Sequence, residues 1–205
     1  MTAQRRFVRR TVALAVTASV AALTLTACGG DSDSKTSSGT ETSSGTRTGG
    51  HNAADVSFSK EMIQHHRQAV EMAGLAADRA SSAQVKSLAT KIKGAQDPEI
   101  KTMSGWLTSW GEKVPQDMSG MGHDMSSSAP GMMTGADMGK LEKASGAMFD
   151  TMFLNMMVEH HEGAVDMAKT EKADGKYDPA TELAADVITA QSAEIEQMNK
   201  MLGKG

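Results

Sequence analysis

The 205-residue chain is poor in rings and thiols. It has seven aromatic residues (four Phe, two Trp, one Tyr) and a single cysteine. So few aromatics argue against a β-sandwich or barrel, because strands favour aromatic and β-branched side chains. One cysteine excludes a disulfide framework and a cysteine zinc site. A lysine/arginine stripe is missing as well, so no nucleic-acid partner is expected. Glu-x-x-His occurs nowhere in the chain, which argues against the di-iron centre that helical bundles build from that motif. No nucleophile–base pair is visible, so covalent catalysis is not expected. What the chain has in excess is methionine, 17 in all. Methionine serves either as a flexible core filler or as a soft metal ligand, and the two roles have to be separated by position.

Residues 1–27 read as an export address. Arg5, Arg6, Arg9 and Arg10 precede an apolar stretch from Thr11 to Leu25, which is short for a spanning helix. Leu25-Thr26-Ala27-Cys28 then resembles a bacterial lipobox, with small residues before the cut and a cysteine to take lipid. The expectation is a signal peptide over 1–27 and a protein anchored to the membrane through lipid on Cys28, outside the cytoplasm. Cleavage there removes four arginines and no acids, leaving 17 basic against 25 acidic residues, a net charge of −8. Residues 28–52 are mostly Gly, Ser, Thr, Asp and Asn. Such a segment buries too little to offset its ordering entropy and reads as a flexible tether.

The rest of the chain is one unit written twice. Asp55-x-x-Phe58-x-x-x-Met62-x-x-His65-His66-x-x-Ala69-Val70-x-Met72-Ala73 returns at Asp150-x-x-Phe153-x-x-x-Met157-x-x-His160-His161-x-x-Ala164-Val165-x-Met167-Ala168. The same offset of 95 aligns Gln96, Glu99, Ile100 and Met103 with Gln191, Glu194, Ile195 and Met198. Seventeen identities in 53 positions, without a gap, make this a duplication rather than a coincidence. Each unit reads as two amphipathic helices. Ser81-x-x-Gln84 offers a capping box for the second helix, Pro98 is expected to kink or split it, and Asp178-Pro179 starts the fourth. The spacing therefore predicts an all-α four-helix bundle over 53–203, made of two αα-hairpins, 53–110 and 140–203. A long methionine-rich loop over 111–139 joins them. Exchange of hairpins across that loop would also allow a homodimer.

His65, His66, His160 and His161 fall on the buried stripe, with Met62 and Met157 one turn before them. Glu99 and Glu194, with Gln96 and Gln191, fall on the inner faces of the partner helices. Buried ionisable groups are costly unless paired or metal-bound. Two readings follow: a metal site of imidazoles and carboxylates with methionine nearby, or a His–Glu hydrogen-bond network that fixes helix register. The loop is more specific. Met118, Met121, His123 and Met125 are followed by Met132, Met133 and Met138, with glycine and serine between them and no helical or alternating period. Packing is not expected to explain these thioethers. Thioether sulfur is a soft, uncharged ligand that selects Cu(I) over hard cations. The competing readings are a biased linker and a reversible oxidant sink.

The doubled His-His motif resembles the bacterial family known as domain of unknown function 305, over about residues 53–203. The resemblance implies an exported protein with a ferritin-like helical bundle, and some members are implicated in copper binding and resistance. Its motif falls on Met62, His65, His66 and Met72, and on Met157, His160, His161 and Met167. Pro98 stands where the second unit has Ala193, which breaks strict symmetry. The expected function is a lipid-anchored copper-binding protein that favours Cu(I) and acts as a buffer, chaperone or resistance factor. A metal-dependent oxidoreductase and a metal-free helical interaction module remain as alternatives.

Overall fold

The computed structural model describes residues 50–117 and 129–204. Five helices follow in order: α1 Ala53–Arg79, α2 Ala83–Ser109, α3 Gly135–Lys143, α4 Gly146–Asp174 and α5 Asp178–Met201. Among the described residues there is no strand, only an isolated bridge between Ala80 and Gly146. The four long helices form the two hairpins that the repeat predicts. α1 packs along α2 and α4 along α5, and the hairpins join chiefly where α1 meets α4. The short α3 comes from the linking segment, where no helix is expected from the sequence. No described helix is long and apolar enough to cross a membrane.

Several local expectations shift. The cap of α2 is Ser82, whose hydroxyl accepts from the amides of Gln84 and Val85. Ser81 is occupied elsewhere, with Asp150. Pro98 does not break α2. The carbonyl it leaves without a helical partner belongs to Gly94, and both residues are exposed, so the carbonyl is open to solvent. α5 is capped at Tyr177, with Asp178 already helical and Pro179 in its first turn.

The repeated aspartates clamp the hairpins together. Asp55 Oδ1 accepts from the amides of Lys176 (3.0 Å) and Tyr177 (2.9 Å), in the turn before α5. Asp150 accepts from the amides of Ser81 (3.1 Å) and Ser82 (2.9 Å), in the turn before α2, and from the Ser81 hydroxyl. Lys176 and Tyr177 are the repeat equivalents of Ser81 and Ser82. Each unit thus ties down the turn of the other.

The core divides in the same way. One cluster holds Met72, Leu88, Ile92, Phe149, Phe153, Met157 and Met198. The other holds Phe58, Met62, Met103, Leu107, Met167 and Val187. The repeat exchanges them: Phe58, Met62 and Met103 map onto Phe153, Met157 and Met198 of the opposite cluster. Each fully buried apolar side chain contributes roughly 1.5–3 kcal/mol. Met133 and Met138 are also buried, in the first cluster with Leu141. Packing does account for these two methionines of the linking segment, contrary to the sequence expectation.

Candidate metal centre

The histidines lie between the two apolar clusters. A pair of His residues one step apart on a helix splays by about 100°, so each doublet sends its rings two ways. His66 and His161 point to the partner helices. His66 Nε2–H donates to Glu99 Oε2 at 2.6 Å, and His161 Nε2–H to Glu194 Oε2 at 2.7 Å. Both rings are fully buried, whereas the carboxylates keep 23% and 22% of their side-chain surface. Each histidine is thereby oriented by an acid at the rim.

His65 and His160 point at each other. Their ring centroids stand 3.7 Å apart with planes tilted by 41°, across the meeting of α1 and α4. Burial and the neighbouring histidines disfavour the charged form of both. The ring of His65 is pushed down to about 3, and that of His160 falls well below its ordinary value. Two neutral imidazoles therefore meet at the centre.

The pair is not symmetric, and the linking segment is the cause. His65 Nε2–H donates to the carbonyl of Pro130 at 3.1 Å. An acceptor-only partner requires the proton on Nε2, which leaves Nδ1 with a free lone pair; no group bonds it. The chain at 130–133 is itself seated by two devices. Gln68 pairs with both polar groups of Met133, donating to its carbonyl (2.9 Å) and accepting from its amide (2.7 Å). On the other side Gly131, at φ +75°, lies against Gly163 of α4, where a Cβ would collide with the Pro130 carbonyl. Gln68 and Gly163 are repeat equivalents, so the strap uses one site on each hairpin. His160 receives nothing from it. Although completely buried, neither of its nitrogens makes a hydrogen bond of good geometry, and only the backbone of His65 offers it a weak polar contact.

An unpaired buried polar atom costs about 1–3 kcal/mol, so the arrangement carries an energetic burden that packing does not remove. Its chemistry is that of neutral nitrogen donors in an apolar sandwich, which suits a soft or borderline metal ion better than a proton. The residues present fit such an ion in part. No hydrogen bond of good geometry reaches the nitrogens of His160 or Nδ1 of His65, His66 and His161. Among the described residues, however, no three His, Cys, Asp or Glu groups converge as a cage. Met62 and Met157 are fully buried, one in each apolar cluster. Glu99 and Glu194 are engaged with His66 and His161. Met118, Met121, His123 and Met125 lie outside the described residues, as does Cys28. The strap was not readable from the sequence, since a backbone carbonyl leaves no residue signature.

Residues 55–202 match the family model described as domain of unknown function (DUF305). Solved structures share the fold. A DUF305 protein from Streptomyces coelicolor, described as secreted, is 34% identical, covering 74% of this chain and 93% of its own, with a TM-score of 0.66. A DUF305 fragment from Deinococcus radiodurans is 27% identical over 75% and 98%, also at 0.66. CopM in its Cu(I)-bound form is 34% identical over 72% and 94%, at 0.60. CopM structures with Cu(II) and with silver match as well. No functionally curated protein matches the chain.

Proposed function

The chain belongs to the DUF305 family, and on that premise we propose that it binds copper outside the cytoplasm, favouring Cu(I), as a buffer, chaperone or resistance factor. The observation that carries this reading is His160: a neutral, fully buried imidazole with no hydrogen bond of good geometry on either nitrogen, stacked on a second histidine with a free Nδ1. A monovalent d10 ion takes two or three soft or borderline ligands without a counter-charge, which suits such a pair. The relatives supply the metal, since CopM is known in Cu(I), Cu(II) and silver forms.

In this reading Met118, Met121, His123 and Met125 capture Cu(I). His65 and His160 hold it in the bundle, helped by Met62 and Met157, each one turn before its histidine. Glu99 and Glu194 hold His66 and His161 in place behind them. Lipid on Cys28 keeps the protein at the membrane. The bonds of His66 and His161 to carboxylates also suit a purely structural role, and the test is built to separate the two. The protein is titrated against a coloured Cu(I) chelator. The expected result is competition by the parent that weakens, without vanishing, in His65→Leu/His160→Leu, because Met118, Met121, His123 and Met125 remain. No competition by the parent would refute the proposal.

A further inference from the structure

Three methionines of α4 stand apart from the paired ones. Met148, Met152 and Met156 recur every fourth residue, and the next step of the same row is His160. Each step climbs about 6 Å and turns about 40° around the helix, so the row winds from the surface inward. Burial follows it. Met148 is 69% exposed, and among the described residues it is the one large hydrophobic side chain so exposed. Met152 and Met156 are partly buried at the edge of the cluster that holds Phe149 and Phe153. His160 is fully buried. The equivalent row in the first unit reads Ala53, Ser57, Glu61 and His65, without sulfur. The asymmetry of the row matches the asymmetry of the histidines it leads to: His65 is bonded to Pro130, while neither nitrogen of His160 makes a hydrogen bond of good geometry.

Packing explains part of Met152 and Met156. It does not explain Met148, whose thioether lies in water one turn beyond them. We propose that Met148, Met152 and Met156 form a thioether track that takes up soft monovalent cations at the surface and passes them to His160. The proposal rests on the reading that the central histidines hold the ion. Neighbouring methionines in the row have Cβ atoms about 5–6 Å apart, and each side chain has three rotatable bonds. Both sulfurs of a step can therefore hold one ion, which advances by exchanging one thioether for the next. No electron or proton moves. Hard cations find no oxygen ligand in the row and are not carried.

The test uses the full chain with methyl-labelled methionine, titrated with Ag(I) alone and followed by NMR. The methyl signals of Met148, Met152 and Met156 are expected to shift with added Ag(I), together with the ring signals of His160. Met148→Leu/Met152→Leu/Met156→Leu keeps apolar volume while removing the sulfurs. It is expected to reach the same histidine-bound state several-fold more slowly in stopped-flow mixing. Should that variant fail to fold, Met148→Leu alone, at the exposed end, carries the same comparison. Equal loading rates overturn the track. Shifted histidine signals with unmoved methyl signals in the row also overturn it and leave the copper-binding reading standing. No response from either group removes both.

Discussion

The carboxyl groups of Asp55 and Glu171 face each other beneath the α4–α5 turn, and only Asp55 is solvated by the backbone. Three amides donate to Asp55, from Asn52, Lys176 and Tyr177. Neither oxygen of Glu171 has a hydrogen-bond partner of good geometry. Burial, the proton that Glu171 shares with the Asp55 carboxylate and the Asp55 charge push Glu171 up to about 8. Asp55, despite its own burial, is held below its ordinary value by those amides. The pair shares a single negative charge at neutral pH.

A pH dependence follows. The native state keeps the Glu171 proton that the unfolded chain releases near pH 4.5, so this site favours folding most below that value. The contribution is lost as pH rises toward 8. Glu171→Gln abolishes the loss. Thermal melts at pH 5 and pH 9 should show the parent falling and the variant holding, with a gap at pH 9 above the roughly 2–4 °C that one kcal/mol produces in a chain of this size. Parallel curves would remove Glu171 as the cause.

Asp150→Ala leaves the amides of Ser81 and Ser82 without their acceptor and unties the α1–α2 turn. Hydrogen bonds to a charged group contribute about 1.5–3 kcal/mol each, part of which water restores at this half-exposed site. The expected cost is about 2 kcal/mol in urea unfolding, with Asp150→Asn intermediate because it retains one acceptor oxygen.

Gly163→Ala drives a methyl group into the Pro130 carbonyl. The strap must lift, since α4 offers no room, and the cost should be about 1–3 kcal/mol, as for other overpacked sites. The distinguishing readout is His65. Its ring proton sits on Nε2 in the parent and should leave that nitrogen in the variant, as seen in ¹⁵N–¹H spectra of the metal-free protein. An unchanged tautomer would show that Pro130 does not set it.

His160→Leu separates a ligand from a structural residue. It replaces an unsatisfied buried imidazole by an apolar side chain of similar size, which is close to neutral or stabilising for a group without a good hydrogen bond. The melting temperature should hold or rise, whereas the upward shift expected for the parent with Ag(I) should be absent. His66→Leu should behave differently, because it strands Glu99. A large loss of stability in His160→Leu would assign the residue to the fold instead.

Much of this was legible because the duplication doubles each signal. The offset of 95 located the helices, the inner position of all four histidines and the acids opposite them. What escaped the sequence was carried by backbone. Asp55 and Asp150 read as members of the repeated motif, yet their partners are amides of the opposite hairpin, which no side chain announces. The seat of Pro130 on His65 is of the same kind. Met133 and Met138 lack a period because the strap that buries them is irregular, and α3 is too short to show one. Glu171 had a faint signal in the repeat, since its counterpart is Ala76, and a buried carboxylate at a position the other unit fills with methyl marks a departure from symmetry.

The reciprocal aspartate clamps say something about ancestry. Each hairpin holds the carboxylate that completes its neighbour's turn and receives its own from that neighbour. A forebear with one hairpin could have satisfied those contacts only as two molecules, with the central histidine of each facing its twin across the axis. Within one chain the halves need not match: the strap bonds one central histidine and leaves the other without such a bond. A contact that two separate chains would share equally is, within one chain, unequal on its two sides.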